Sequence, residues 1–278
     1  MSIANNSTLH TPVSPVKPAS GYIGGKRNLA GRIITRIAAI EHGAYAEPFV
    51  GMGGIFLRRT SRPTSETIND WSLDVATFFR ILQRHYVAFL DMLRFQLTSR
   101  AGFERLLATD PATLTDLERA ARFLYLQRVA FGGKVAGRHF GVSPLTAGRF
   151  DITKLAPLLE AIHERLSGVV IERLPWADFI KRYDRPSMLF YLDPPYFGTE
   201  NMYGKTDDGI PLFGREQFAE MASILGSISG QFLLSINDHP AVRKIFAGFA
   251  IETVKTTYSV GAKSAPKIVG ELIISRAC

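Results

Sequence analysis

The sequence predicts an α/β fold built on a mostly parallel sheet, and three observations lead there. Short apolar runs such as AYAEPFV (44–50), SMLFYL (187–192) and QFLLSIN (231–237) alternate with longer stretches. In those stretches apolar residues recur every three or four positions, the pattern of buried parallel strands joined by crossover helices. The chain has 278 residues, 46% of them hydrophobic, enough to bury both faces of such a sheet. Acids and glycines follow several of the apolar runs directly, and that is where an open α/β sheet gathers its ligands.

Residues 1–20 carry three prolines and small polar residues without a hydrophobic period, which predicts a flexible tail. From Lys26 to Ile40 the apolar positions Leu29, Ile33, Ile34, Ile37 and Ile40 describe an amphipathic helix. AYAEPFV is a short buried strand that runs into the glycines of GMGG, and TSETIND (64–70) is a second strand ending beside Asp70. Residues 73–166 are predominantly helical, with Thr/Asp caps near the starts of DLERAARFLYLQRVAF and KLAPLLEAIHERL. Between those two segments, GGKVAGRHFGVSPLTAGRF reads as a loop or small hairpin. GVVIERL, SMLFYL and QFLLSIN supply further parallel strands. FAIETVKTTYSV and KIVGELIIS leave no room for a helix between them and should pair antiparallel.

Composition narrows the function. No apolar run approaches the ~20 residues of a membrane-spanning helix, and the N-terminus lacks the pattern of a secretory signal, so a cytoplasmic protein is expected. The single cysteine, Cys278, forms no internal disulfide, and the six histidines show no ligand spacing, so no metal is expected. The net charge of +8 suits a polyanionic partner. Most of it lies between Phe78 and Phe150, where eleven Lys/Arg face five Asp/Glu.

Three strand ends hold the candidate chemistry. Glu47–Gly54 would let the backbone approach a ligand, although such a turn alone is weak evidence and can be merely a tight loop. Asp70 suits ribose hydroxyls, or simply caps a helix. No phosphate loop of the GxxxxGK[ST] type is present. Asp193-Pro194-Pro195-Tyr196 is more specific. A carboxylate and the rigidly held Pro194 carbonyl could accept both hydrogens of an exocyclic amine and favour the nitrogen geometry that develops during attack. Tyr196 could stack on a base removed from its helix.

With these motifs in order, the chain resembles the Dam-type adenine-specific DNA methyltransferases from about Gly21 to Ser275. YIGGK (22–26) is similar to the amino-terminal cofactor motif, EPFVGMGG to the glycine motif, IND to the acidic ribose motif and DPPY to the catalytic motif. The resemblance implies a Rossmann-like methyltransferase core, a mixed, mostly parallel sheet with helices on both faces, in two parts (21–72 and 168–278). A helical DNA-recognition insert (73–167) would separate them. It implies S-adenosyl-L-methionine as cofactor, double-stranded DNA as partner and a flipped-out adenine methylated at N6. Cofactor contacts would come from Tyr22, Lys26, Glu47, Pro48, Phe49, Gly51, Gly53, Asp70 and Asp193, with Asp178 and Phe179 of WADFI as a further pair. Asp193, Pro194 and Tyr196 would be catalytic. The stretch FLYLQRVAFGGKVAGRHFGVSP is similar to the family's DNA-contacting segment but lacks its asparagines. Lys134, Arg138, His139 and the more remote Arg149 are its DNA-facing candidates. The segment 197–214 is expected to be a flap over a bound base. Methylation of cytosine N4 or of RNA adenine, or a catalytically silent nucleic-acid-binding role for the same fold, remains compatible with the residues alone.

Overall fold

The computed structural model describes residues 10–142, 145, 147–206, 209–258 and 267–277. The first nine tail residues, Ser143 and Pro144 at the end of the basic stretch, Ser259 and Val260, and Cys278 lie outside the described residues. The first half of the chain runs through β1 (His10–Pro12), α1 (Ala30–Ala39), β2 (Ala44–Glu47), β3 (Ser61–Pro63), β4 (Ser65–Asn69), α2 (Leu73–Arg84), α3 (Tyr86–Leu93), α4 (Arg100–Ala108) and α5 (Asp116–Val129). The second half adds α6 (Ile152–Arg165), β5 (Val170–Glu172), α7 (Trp176–Tyr183), β6 (Met188–Leu192), α8 (Gln217–Ser227), β7 (Gln231–Asn237), α9 (Pro240–Ile245), β8 (Ala250–Tyr258) and β9 (Lys267–Ser275).

Seven strands form one sheet in the order β5-β4-β2-β6-β7-β9-β8. The pairs from β5 to β7 are parallel, whereas β9 lies antiparallel to both β7 and β8. From β2 the chain builds outward through β4 and β5 on one side, then returns to lay β6 on the other. The carboxyl ends of β2 and β6 therefore flank the point where strand order reverses, the ligand crevice of open α/β sheets.

Alternation along the strands divides the interior. In β2, Tyr45 joins one apolar cluster and Ala46 the other; in β6, Leu189 and Tyr191 face the first while Met188, Phe190 and Leu192 face the second. Helices α1, α2, α5 and α6 contribute to the first cluster, and α7, α8 and α9 to the second, so the sheet is covered on both faces. Phe78, Phe123 and Leu155 of the helical stretch share one continuous core with Tyr45 and Ile68 of the sheet.

Local signals set several boundaries. Thr115 and Glu118 form a reciprocal capping box at the start of α5, and Asp151 accepts from Thr153 N to start α6, each such cap stabilising by about 1 kcal/mol. The helical period of 73–97 is interrupted at His85, whose backbone (φ −126°, ψ 36°) separates α2 from α3.

The expectation of a flexible tail over residues 1–20 is corrected for residues 10–20. β1 pairs antiparallel with β3, Val16 N donates to the Leu57 carbonyl and Ala19 is fully buried. Scattered apolar contacts hold this segment without a period of their own, so its composition gave no sign of them.

Candidate active site

A cavity of about 800 Å³ opens at the carboxyl ends of β2, β4 and β6. Each strand brings one element of the expected chemistry to it.

After β2, the chain turns through Gly51 and Gly53, whose φ values of +50° and +74° lie in the left-handed region. A Cβ on Gly51 would stand 3.2 Å from the Tyr22 ring, so glycine there permits the close approach of the 22–26 loop. After β4, Asp70 accepts hydrogen bonds from Gly51 N and Ser72 N, both 2.9 Å, and thereby braces the glycine turn. Burial pushes its carboxyl up to about 6 against those two hydrogen bonds, so it is ionised at neutral pH and retains lone pairs for a further donor. Its neighbour Asn69 donates to the carbonyls of Pro48 and Leu174 and accepts from Leu174 N, joining the glycine turn to the segment ahead of α7.

After β6 comes Asp193, its side chain 22% exposed. The buried Lys26 ammonium sits 2.8 Å from its Oδ1, and Ser235 Oγ approaches the same oxygen at 3.5 Å. Lys26 also lies 2.5 Å from Glu271 Oε1 and donates to the Tyr196 hydroxyl at 2.8 Å. That hydroxyl in turn donates to Glu271 Oε2 at 2.8 Å. Burial raises Asp193 to about 6, a rise limited by Lys26 and reinforced by Glu271. Nearby, burial pushes Glu47 to about 8, so this carboxyl, which accepts from Tyr45 at 2.7 Å, carries its proton at neutral pH. Asn237 clamps the turn beyond Tyr196 by accepting from Phe197 N and donating to Phe197 O.

Of the residues expected at the cofactor, Tyr22, Lys26, Glu47, Pro48, Phe49, Gly51, Asp70 and Asp193 line this one cavity. Gly53 stands behind it, against Leu57 and Phe79. Asp178 is exposed on α7, and Phe179 is buried in the core against Tyr183, so neither reaches the cavity wall. Trp176 on the same helix does. Pro194 and Tyr196 both lie outside the lining, Pro194 buried and Tyr196 tied through its hydroxyl to Lys26 and Glu271.

Sequence reasoning did not single out Trp71, Trp176, Asn69, Asn237 or Glu271. Glu271 carried a readable signal, a lone acid between the apolar residues of KIVGELIIS. The segment expected to be a flap brings Tyr203 and Ile210–Phe213 to the cavity, and Phe213 packs on Phe49 and Phe218.

The basic loop lies beside this site. Gln127 Nε2 donates to the carbonyls of both Gly21 and Gly133, and Ile23 N donates to Gly133 O, so the loop after α5 is fastened to the cavity's 21–23 edge. Lys134 and His139 are exposed. Arg138 turns inward, donating to Gln127 Oε1 and the Lys134 carbonyl, while Arg149 is exposed but donates to the Ala130 carbonyl. Among the described residues no helix is long and apolar enough to cross a membrane, and no cluster of three His, Cys, Asp or Glu could hold a metal.

This combination of glycine turn, acid and DPPY at a strand-order reversal has a known counterpart: residues 22–260 match the D12 class N6 adenine-specific DNA methyltransferases. The chain belongs to that family. Its reaction is accordingly methylation of adenine N6 in DNA, and S-adenosylmethionine use is implied by the family. This D12-class methyltransferase is 24% identical over 274 residues to the type II methyltransferase M1.LlaDCHI of Lactococcus lactis subsp. cremoris, covering 94% of this chain and 95% of that one. It is 26% identical over 266 residues to the DNA N-6-adenine-methyltransferase of Escherichia phage P1, covering 89% of this chain but only 34% of the phage protein.

Proposed function

We propose that this enzyme methylates an adenine everted from double-stranded DNA, with S-adenosylmethionine held in the cavity described above. The observation that carries this reading is the convergence of Asp70, the Gly51 turn and Asp193 on one cavity at the strand-order reversal. The lining suits the cofactor's chemistry: an ionised Asp70 for ribose hydroxyls, apolar rings including Phe49, Trp71, Trp176 and Phe213 for a purine, and a tight glycine turn. When bound, S-adenosylmethionine supplies a methyl group activated by its sulfonium.

The chain's own residues act on the adenine. A paired, stacked base could not bring its amino group into such a recess, hence the need for eversion. Asp193, ionised above about pH 6, accepts one N6 hydrogen at Oδ2, because Lys26 and Ser235 approach Oδ1. The Pro194 carbonyl, next to Asp193 but outside the cavity lining, takes the other once the base enters. Two fixed acceptors favour the nitrogen as it becomes tetrahedral and positively charged, so they bind the transition state better than the flat amine. The amino group becomes acidic only as it gains the methyl, so Asp193 need not be a strong base beforehand, and the excess proton leaves the nitrogen during or after transfer, by way of Asp193 to solvent. Tyr196, anchored through its hydroxyl, offers its ring to the base. Lys134 and His139 meet the phosphate backbone from the adjoining loop.

Nucleoside mass spectrometry after incubation with labelled cofactor and duplex DNA, single-stranded DNA or RNA tests the proposal. Labelled N6-methyladenine should form chiefly in the duplex. Label confined to RNA, or found on cytosine, would overturn it.

A further inference from the structure

Glu271 has no part in the steps above, yet it is a fully buried acid. It lies on β9 opposite Asn237 of β7 and Val254 of β8, followed by buried Leu272, Ile273 and Ile274. A carboxylate in such a strand is unfavourable unless it is paired and hydrogen-bonded. Its two oxygens meet Lys26 at 2.5 Å and the Tyr196 hydroxyl at 2.8 Å, and Tyr196 accepts from Lys26, closing a ring of three groups. A fourth contact leads out of the ring, from Lys26 to Asp193 Oδ1 at 2.8 Å. Among the described residues, the ammonium thus meets two acids, Glu271 and Asp193, and the Tyr196 hydroxyl.

Resting on the proposed role of Asp193, we infer that Glu271 and Tyr196 are positioning residues. They hold the Lys26 ammonium against one oxygen of Asp193 and so keep the other turned to the substrate amine. Lys26 counters the burial that would otherwise protonate Asp193. Glu271 shares that positive charge and keeps Lys26 from closing over both Asp193 oxygens. Among the described residues, the groups facing Asp193 are Lys26 ahead of α1, Glu47 on β2, Tyr191 on β6, Ser235 on β7 and Glu271 on β9. Of these, Lys26 is the cation and Glu271 the acid that exchanges contacts with it.

The directions follow from the charges. Replacing Lys26 with Met removes the counter-ion, so Asp193 should lose its proton only at higher pH and the acid limb of the rate should move up. Glu271→Gln removes a repelling charge and leaves Asp193 as the carboxylate that Lys26 meets among the described residues, so the limb should move down. The rate on its plateau should also fall, because Lys26 now competes with the amine for the carboxylate.

The test is single-turnover methyl transfer to duplex DNA across the acid and neutral range, at saturating cofactor. In parallel, the Asp193 carboxyl is titrated by carbon NMR, its signal assigned by its loss in Asp193→Asn. Glu271→Gln should lower the plateau rate about tenfold to a hundredfold, with cofactor affinity little changed and both limb and titration displaced to lower pH. Tyr196→Phe, which keeps the ring and removes only the hydroxyl, should do the same to a smaller extent. Lys26→Met should displace both the opposite way. A merely structural Glu271 would show a lower melting temperature with the limb and titration unmoved in Glu271→Gln and Tyr196→Phe, and that result overturns the inference. If the wild-type enzyme transferred no methyl to DNA, the functional reading would fail. The NMR titration would still decide the positioning role, displaced if it holds and unmoved if it does not.

Discussion

At Glu66, one buried carboxylate is gripped by two guanidinium groups; at Lys26, one buried ammonium is shared by two carboxylates. Arg59 reaches Glu66 Oε1 at 2.7 Å, while Arg165 binds both oxygens at 2.6 and 2.8 Å, and all three side chains are 3% exposed. The arginines also lie over the rings of Tyr45 and Phe56. This cluster fastens β4 to the end of α6 and carries surplus positive charge. Around Lys26, among the described residues, the surplus is negative, and one of its acids, Asp193, stands at the cavity with its carboxyl raised to about 6. Burial alone therefore does not mark a functional charge. Excess cation makes a fastening, whereas a shortage of cation beside a cavity leaves an acid poised near neutrality.

The sharpest way to break this comparison is to exchange the expected outcomes. Glu66→Gln leaves two buried guanidinium groups without a counter-charge and should destabilise the fold by about 3–5 kcal/mol. Urea unfolding measures the loss. Transfer by the folded fraction should keep its pH dependence, and a displaced acid limb would erase the distinction between the clusters.

Asp193→Asn should have the opposite effect on stability. The folded-state value of about 6 exceeds the ordinary 3.8, so folding favours the protonated form. The contribution of Asp193 to stability is therefore greatest below about 4 and is lost as pH rises through about 6. Asparagine mimics the protonated state and leaves Lys26 paired with Glu271. The variant should gain roughly 1–3 kcal/mol at neutral pH and nothing in acid, read from thermal melts across pH. A loss of stability at neutral pH would mean that Asp193 is a fastening too.

The smallest effect separates the exposed from the engaged cations of the basic loop. Lys134→Ala should reduce the salt slope of DNA binding by about 0.9, as one phosphate contact disappears. Arg138→Ala should alter the slope less, because that guanidinium is bound to Gln127 and to the Lys134 carbonyl. Equal changes in slope would remove the distinction.

Much of this was legible in the sequence because period and punctuation carry it. The apolar runs at 44–50, 187–192 and 231–237 became β2, β6 and β7, the closing runs paired antiparallel, and Asp70 and Asp193 stand where their strands end. The remainder lacked a local signal. In α7, Trp176, Phe179 and Ile180 share a helical spacing, and only the packing decides that Trp176 meets the cavity while Phe179 meets the core. The inward turn of Arg138 and the backbone contact of Arg149 depend on carbonyls that no side-chain pattern reveals. Val16 and Ala19 anchor a proline-rich segment through isolated contacts. Asn69 and Asn237 act through the backbone of distant turns, a role that any buried asparagine could play.

Single-turnover methyl transfer by Asp193→Ala, with cofactor affinity measured by calorimetry on the same preparation, tests the central claim most directly. Transfer to duplex adenine should fall by about a thousandfold or more, while S-adenosylmethionine binds within a few-fold of wild type. A variant that binds cofactor and still methylates at close to the wild-type rate would contradict the role given to this carboxylate.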